Sequence, residues 1–219
     1  LLDPHPADAF RMLADLGLLK TVLPEVDVLR GLEQPVRYHP EGDVFQHTML
    51  MLSHMVWPSR ELAWSILLHD VGKKATQSFD AEGIPHFYGH EAVGADMAEK
   101  ILMRLRLSRQ TIKTVSDAVR NHMKFASLDK MKPAKWKRMM AGEHFLMELE
   151  LHRIDTLCSN RLFHIYLLSL ERIRELQRQQ QKGLPKPLLT GRDLLSCGIP
   201  SGPQIGSLLR EAMDMQLEG

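Results

Sequence analysis

The chain has only two cysteines in 219 residues, Cys158 and Cys197. They could pair, but two are too few for a disulfide scaffold, so reduced thiols in a cytoplasmic protein are expected. No apolar run approaches the roughly 20 residues that span a bilayer, which excludes a membrane-spanning helix. The first residues carry neither a basic leader nor an apolar stretch followed by small residues, so no secretory signal is read. Charge of one sign is missing too. The 28 basic residues face 27 acidic ones for a net charge of +1, which excludes a uniformly basic nucleic-acid binder and leaves room for a local basic patch. The apolar–polar alternation of a sheet is also absent. What remains is 44% hydrophobic and 25% charged, the balance of a soluble globular protein with one large domain, with or without a smaller flanking piece. The chain opens on Leu1 in what reads as mid-helix context, so it is expected to be part of something longer.

Helix after helix fills that length. Asp8 to Leu19 is amphipathic, with a break at Leu23-Pro24-Glu25 and another through Gln34-Pro35, His39-Pro40 and Gly42. Val44 to Val56 is apolar and Met-rich, stopped by Trp57-Pro58-Ser59. Glu61 to His69 is apolar almost all round, the mark of a buried helix. Lys74 to Gly89 lapses into polar residues around Asp80 and Gly83, a loop or small hairpin. Val93, Met97, Ile101 and Leu105 then share one helix face, and Ser108 is placed to cap a helix running to His122. Pro133 starts a short basic helix through Met140, and Gly142 precedes a helix carrying His152 and Asp155. A long polar-faced helix follows, ending in the Gln179-Gln180-Gln181-Lys182 tract before Gly183. Thr190-Gly-Arg-Asp193 and Ser201-Gly-Pro203 read as the starts of two short helices. The fold class is all-α with at most one small hairpin.

Eleven histidines are the compositional excess. His69-Asp70 places a nitrogen and an oxygen donor together at the end of a buried helix. His47 lies near the start of the preceding apolar helix, His90 opens the helix after the loop, His122 closes the next, and Asp155 falls late in a later one. Burying so many imidazoles and carboxylates without partners costs several kcal/mol, a cost that a shared metal removes. Lys73 is placed to meet a substrate phosphate or, alternatively, is a solvated loop lysine. His86 is a further ligand or proton donor, or a plain loop histidine. His54, His144, His152 and His164 are assigned to packing or surface, and His5 and His39 carry no readable signal.

The order His47, His69-Asp70, Asp155 resembles the signature of the HD superfamily of metal-dependent phosphohydrolases. His90 and His122 are similar to the extra histidines of its two-metal members. The resemblance implies a helical bundle in which His47, His69, Asp70 and Asp155 hold one metal. It gives a second metal to His90 and His122, with Asp70 as bridge. Mixed nitrogen and oxygen donors suit Mn, Fe, Co or Ni, with Mg or Zn possible. Such a site implies hydrolysis of a phosphoester by activated water, with Asp70, Lys73 and His86 as the catalytic candidates.

Longer stretches resemble a narrower group. Leu16-Gly17-Leu18-Leu19, Leu23-Pro24-Glu25, Val44-Phe45-Gln46-His47-Thr48, His69-Asp70-Val-Gly-Lys73 and Phe87-Tyr-Gly-His90-Glu91 all match it. So does the tail from Leu189-Thr-Gly-Arg-Asp-Leu-Leu195 through Gly198, Gly202-Pro203 and Ile205-Gly206 to Leu217-Glu218-Gly219. The group is the bacterial tRNA nucleotidyltransferase (CCA-adding enzyme) and poly(A) polymerase family in members with an HD domain. The resemblance implies a helical neck over 1–42, a metal-binding domain over 43–165 and a helical tail over 166–219. The family's nucleotide-adding head, with its glycine-rich phosphate loop and paired aspartates, is not found before Leu16, so nucleotide addition by this chain alone is not expected. The implied substrates are phosphomonoesters or 2′,3′-cyclic phosphates, with the tRNA 3′ end or a nucleotide phosphoester as partner, alongside the head of a longer parent chain. Lys132, Lys135, Lys137 and Arg138 around Trp136 are placed to contact RNA phosphates and stack a base, or form a solvated basic face. Two alternatives to an active phosphohydrolase stay open: a non-catalytic RNA-binding scaffold with a structural metal, and a free-standing nucleotide hydrolase, which the tail motif disfavours.

Overall fold

The first helix, α1 (Pro6–Asp15), begins on a proline, whose missing N–H costs nothing there. It stops earlier than the periodicity predicts because Gly17 turns into the left-handed region at φ 69° and the Leu18 N–H donates back to the Leu13 carbonyl at 2.9 Å. Two short helical turns follow, α2 (Leu19–Val22) and α3 (Pro24–Asp27). The computed structural model describes residues 1–2, 4–56, 58–178 and 184–218, with the Gln177 side chain excepted. The stop at Trp57, the glutamine tract with Lys182 and Gly183, and the final Gly219 lie outside the described residues.

Helix α4 (Val44–Ser53) is capped by Asp43, whose side chain accepts from the Gln46 N–H at 2.8 Å and from the Gly31 N–H at 2.8 Å. The same carboxylate thus starts the helix and pins the preceding loop. Helix α5 (Arg60–Leu68) is capped by Ser59 and buries Leu62, Ala63, Ser65, Ile66, Leu67 and Leu68, as its apolar run predicts. After the His69–Gly72 turn come α6 (Lys73–Thr76) and an antiparallel hairpin of β1 (Ser78–Phe79) and β2 (Pro85–His86), with Ser78 opposite His86. Asp80 closes the hairpin by accepting from the Ile84 N–H at 2.7 Å.

Helix α7 (His90–Arg104) keeps most of the expected face, with Ile101 buried and Met97 and Leu105 packed against the core, but is turned toward its small residues. Its buried residues are His90, Gly94, Ala95, Ala98, Ile101 and Leu102, while Val93 is 38% exposed. The small residues are inward because the Gly72 turn lies directly against the helix backbone. A Cβ on Gly72 would stand 2.2 Å from the His90 carbonyl oxygen and 2.6 Å from the Gly94 nitrogen. Helix α8 (Arg109–Asn121) is capped by Ser108 as expected, and His122 ends it. A 3₁₀ stretch (His122–Lys130) that the periodicity does not reveal follows. Then come α9 (Pro133–Met140), α10 (Phe145–Cys158), α11 (His164–Arg178) and α12 (Gly191–Ser196), the last with the expected Thr190–Asp193 capping box. The last helix, α13 (Pro203–Glu218), is 16 residues long, where a short one was expected.

The chain divides into two units. One comprises Leu1–Phe125 and Leu146–Tyr166, the other Ala126–Phe145 and Leu167–Gly219. The first has a contiguous core that includes Leu19, Leu29, Met49, Leu52, Ile66, Leu67, Leu102 and Ile154. In the second, Trp136 is buried beneath the Arg172 guanidinium, which lies 4.9 Å from its ring centre. Both cysteines are free thiols. Among the described residues no helix is long and apolar enough to cross a membrane.

Candidate metal centre

The ends of α4, α5, α7 and α8 meet inside the first unit, and each delivers a histidine. Ring centres run in a row: His47 to His69 at 5.5 Å, His69 to His122 at 5.4 Å, His122 to His90 at 5.1 Å. His47 is 0% exposed, His69 1% and Asp70 3%. Imidazoles this deep need partners.

The tautomers of three are fixed by the helices that carry them. A carbonyl oxygen only accepts, so the ring nitrogen facing it must hold the proton. The Nδ1–H of His69 donates to the Ile66 carbonyl at 2.8 Å, that of His90 to Phe87 at 2.8 Å, and that of His122 to Val119 at 2.6 Å. Each is a bond to the residue three before, available because the histidine sits where a helix starts or stops. In the neutral rings Nε2 is then a bare lone pair. Yet His90 Nε2 faces His122 Nε2 at 3.2 Å. Asp70 spreads across the group: Oδ2 is 3.0 Å from His69 Nε2, and Oδ1 is 3.3 Å from His90 Nε2 and 3.9 Å from His122 Nε2.

Lone pairs pointed at lone pairs and at a carboxylate repel unless a proton or a metal cation lies among them; burial opposes a charged His90, yet Asp70 raises it, so that proton sits there when no metal does. The orphaned atoms say the same. Six buried side-chain nitrogen or oxygen atoms lack a hydrogen-bond partner among the described residues, and four are here: Glu41 Oε2, both nitrogens of His47, and His69 Nε2. Carboxylate oxygens of Glu41, Asp155 and Asp70 stand beside the three nitrogens. Among the described residues three donor groups, each with ligand atoms within 4.8 Å of one another, form a chain: His39 with Glu41 and His47, His47 with His69 and Asp70, and Asp70 with His90 and His122. This donor set fits one or two divalent cations, with Asp70 common to two of the groups. Asp155 Oδ1 lies 3.1 Å from His47 Nε2, and its side chain, 28% exposed, is the most open of the expected ligands.

Charge is finely balanced. Burial opposes ionisation of Asp70, but His69 and Lys73 overcome it and hold the carboxyl well below its usual range. Asp155 is likewise depressed, against burial, by His47. Burial disfavours a charged His47, yet Asp155 and Glu41 raise it to about 9. For His122, Asp70 at 3.9 Å is outweighed: burial and the neighbouring His69 push it down to about 4.

Lys73 departs from both sequence readings. Its side chain is 7% exposed, and its amine donates to Gln34 Oε1 at 2.6 Å and pairs with Asp70 Oδ2 at 2.7 Å. It is committed to Asp70 instead of facing a substrate phosphate, because Gln34 arrives from far upstream to close over it. His86 is not drawn into the donor groups: it pairs with Asp80 at 2.9 Å and stacks on Tyr88 in the hairpin, so its expected part as ligand or proton donor gives way to a local ion pair. Of the basic cluster, Lys132 and Lys135 are exposed. Trp136 is buried under Arg172 and cannot offer its face to a base. Lys137 donates to the Leu217 carbonyl at 2.8 Å, and Arg138 pairs with Asp214. Glu41 and His39 were not anticipated. The only sequence signal is their spacing of six and eight residues ahead of His47, inside a proline-flanked turn.

The profile of the HD domain family matches residues 44–155, just over half of the chain. The chain is 32% identical over 239 aligned residues to a CC-adding tRNA nucleotidyltransferase of Thermus thermophilus, covering 100% of this chain and 51% of that protein. It is 30% identical over 230 residues to an A-adding tRNA nucleotidyltransferase of Deinococcus radiodurans, covering 100% and 52%. A multifunctional CCA protein of an Azoarcus species is 41% identical over 108 residues, 48% of this chain and 26% of that protein. The chain thus spans about half the length of the first two relatives.

Proposed function

Since this chain belongs to the HD domain family, we propose that its buried donor cluster is the active site of a metal-dependent phosphohydrolase. The substrates on this reading are phosphomonoesters or 2′,3′-cyclic phosphates. The observation that carries it is the convergence of His69, His90 and His122 lone pairs on the two oxygens of Asp70, with the Nδ1 proton of each of these three rings tied to a backbone carbonyl.

On this reading His47, His69, Asp70 and Asp155 would hold one cation, and His90 and His122, with Asp70, a second. When bound, such a cation supplies Lewis acidity, activating water for attack near neutral pH and neutralising charge on the phosphoryl oxygens. The chain's own groups supply the rest. Lys73 keeps Asp70 ionised and fixed, one oxygen toward each half of the site. The backbone carbonyls of Ile66, Phe87 and Val119 prevent the three rings from turning. Because the other ligands are buried, substrate approach is assigned to the Asp155 side.

The similarity to tRNA nucleotidyltransferases favours an RNA 3′ end or a nucleotide as the phosphoester, and Lys132 and Lys135 are the cations free to meet an RNA backbone. The test is hydrolysis of bis-p-nitrophenyl phosphate and 2′,3′-cyclic AMP by the purified chain across Mn, Co, Ni, Mg and Zn. Turnover with at least one ion, lost in Asp70→Ala, is expected. A folded, metal-loaded chain without turnover would make the site structural and this part of the molecule an RNA-binding scaffold.

A further inference from the structure

The donor groups contain two members that the proposed reaction does not use, Glu41 and His39. Glu41 lies in the turn ahead of α4, its side chain only 9% exposed although no helix or strand holds it. Its Oε1 is 2.9 Å from His39 Nδ1 and 2.5 Å from His47 Nδ1. The His39 ring stands edge-on to that of His47, centres 4.9 Å apart. His47 therefore has a carboxylate on each side: Asp155 at Nε2 and Glu41 at Nδ1.

A neutral imidazole has one N–H and one lone pair. Unlike His69, His90 and His122, His47 sits within α4 and has no backbone carbonyl recorded against its Nδ1. If its Nε2 serves the site, its Nδ1 must keep a proton, and Glu41 is the carboxylate beside that atom. We propose that Glu41 is a positioning residue, anchored by His39, that accepts the His47 Nδ1 proton and so fixes the ring with its Nε2 lone pair toward His69, Asp70 and Asp155. Glu41 does for His47 what backbone carbonyls do for the other three rings. The inference rests on the metal-site reading above. It also assigns the His39–Glu41–His47 group to orientation of a ligand and not to an ion of its own, because His47 has no second lone pair to give.

The experiment is Co(II) titration of the full 219-residue chain by calorimetry, with the visible spectrum of the Co(II) form, in wild type, Glu41→Gln, Glu41→Asp and His39→Gln. Metal-free melting temperatures identify any variant that fails to fold. The expected result is unchanged stoichiometry with affinity down about 10- to 100-fold in Glu41→Gln. The Co(II) bands shift, Glu41→Asp recovers part of the affinity, and His39→Gln shows a smaller loss. Unchanged affinity and spectrum in a folded Glu41→Gln would overturn the assignment. So would the loss of one whole equivalent with the rest binding as before, since Glu41 would then be a direct ligand. Should Glu41→Gln not fold, His39→Gln decides in the same way. A wild-type chain that takes up no Co(II) overturns the metal reading itself, and that outcome is visible before any variant is made.

Discussion

At the scale of single residues the site is held by protons placed one at a time. Lys73 shows how tightly. Its ammonium is buried between Asp70 and Gln34, so Lys73→Ala leaves a buried carboxylate without its cation. The metal-free variant should lose about 3–5 kcal/mol in urea unfolding. Added Mn should restore part of the loss, since a bound cation replaces the missing charge. A variant as stable as wild type without metal would show the pair to be dispensable. His122 sets a pH dependence. Its folded value of about 4 lies below its ordinary 6.5, so unfolding takes up a proton between the two. Its contribution is complete above about pH 6.5 and disappears as pH falls through 4, on the order of 3 kcal/mol in all. The acid limb of metal-free stability should therefore be shallower in His122→Gln than in wild type, and identical slopes would refute a neutral buried His122. His47, raised to about 9, acts oppositely: its share is complete below about 6.5 and is lost as pH rises through 9.

The positions of His47, His69, Asp70, His90 and His122 were legible in the sequence because each sits at the end of a strongly patterned helix or near its start. Glu41 and His39 were not, since the turn carrying them is directed only by tertiary contacts, such as the Gly31 N–H on Asp43. The burial of Lys73 was illegible for the same reason: Gln34, which covers it, is 39 residues away. At the scale of elements, the expected caps on α8 and α12 are both present, because a cap is a local fact. The face of α7 was legible at Met97, Ile101 and Leu105 but not at Val93, since only the Gly72 turn shows why Gly94, Ala95 and Ala98 point inward. That contact sets the height of His90 against Asp70. Gly72→Ala forces the turn and α7 apart, with an expected cost of about 3 kcal/mol. Metal affinity should fall in calorimetric titration; unchanged binding would mean that the turn does not position His90.

At the scale of the whole molecule, the helical class was legible from the absence of alternation, whereas the second unit's use of its basic cluster was not. Trp136, with Arg172 over its ring, belongs to that unit's interior. RNA binding, if it uses α9, must rest on Lys132 and Lys135. Lys132→Glu with Lys135→Glu should weaken tRNA binding and lower the salt slope by about 2, measured by filter binding across salt. An unchanged slope would return both lysines to a solvated face.

On the reading proposed above, the lone pairs converging on Asp70 hold divalent metal. The most direct measurement is elemental analysis of the purified chain after equilibration with Mn or Co and desalting, set beside Asp70→Ala. One or two equivalents in the wild type and none in a folded Asp70→Ala is the predicted result. A folded wild-type chain that retains no metal under any ion tested would contradict it.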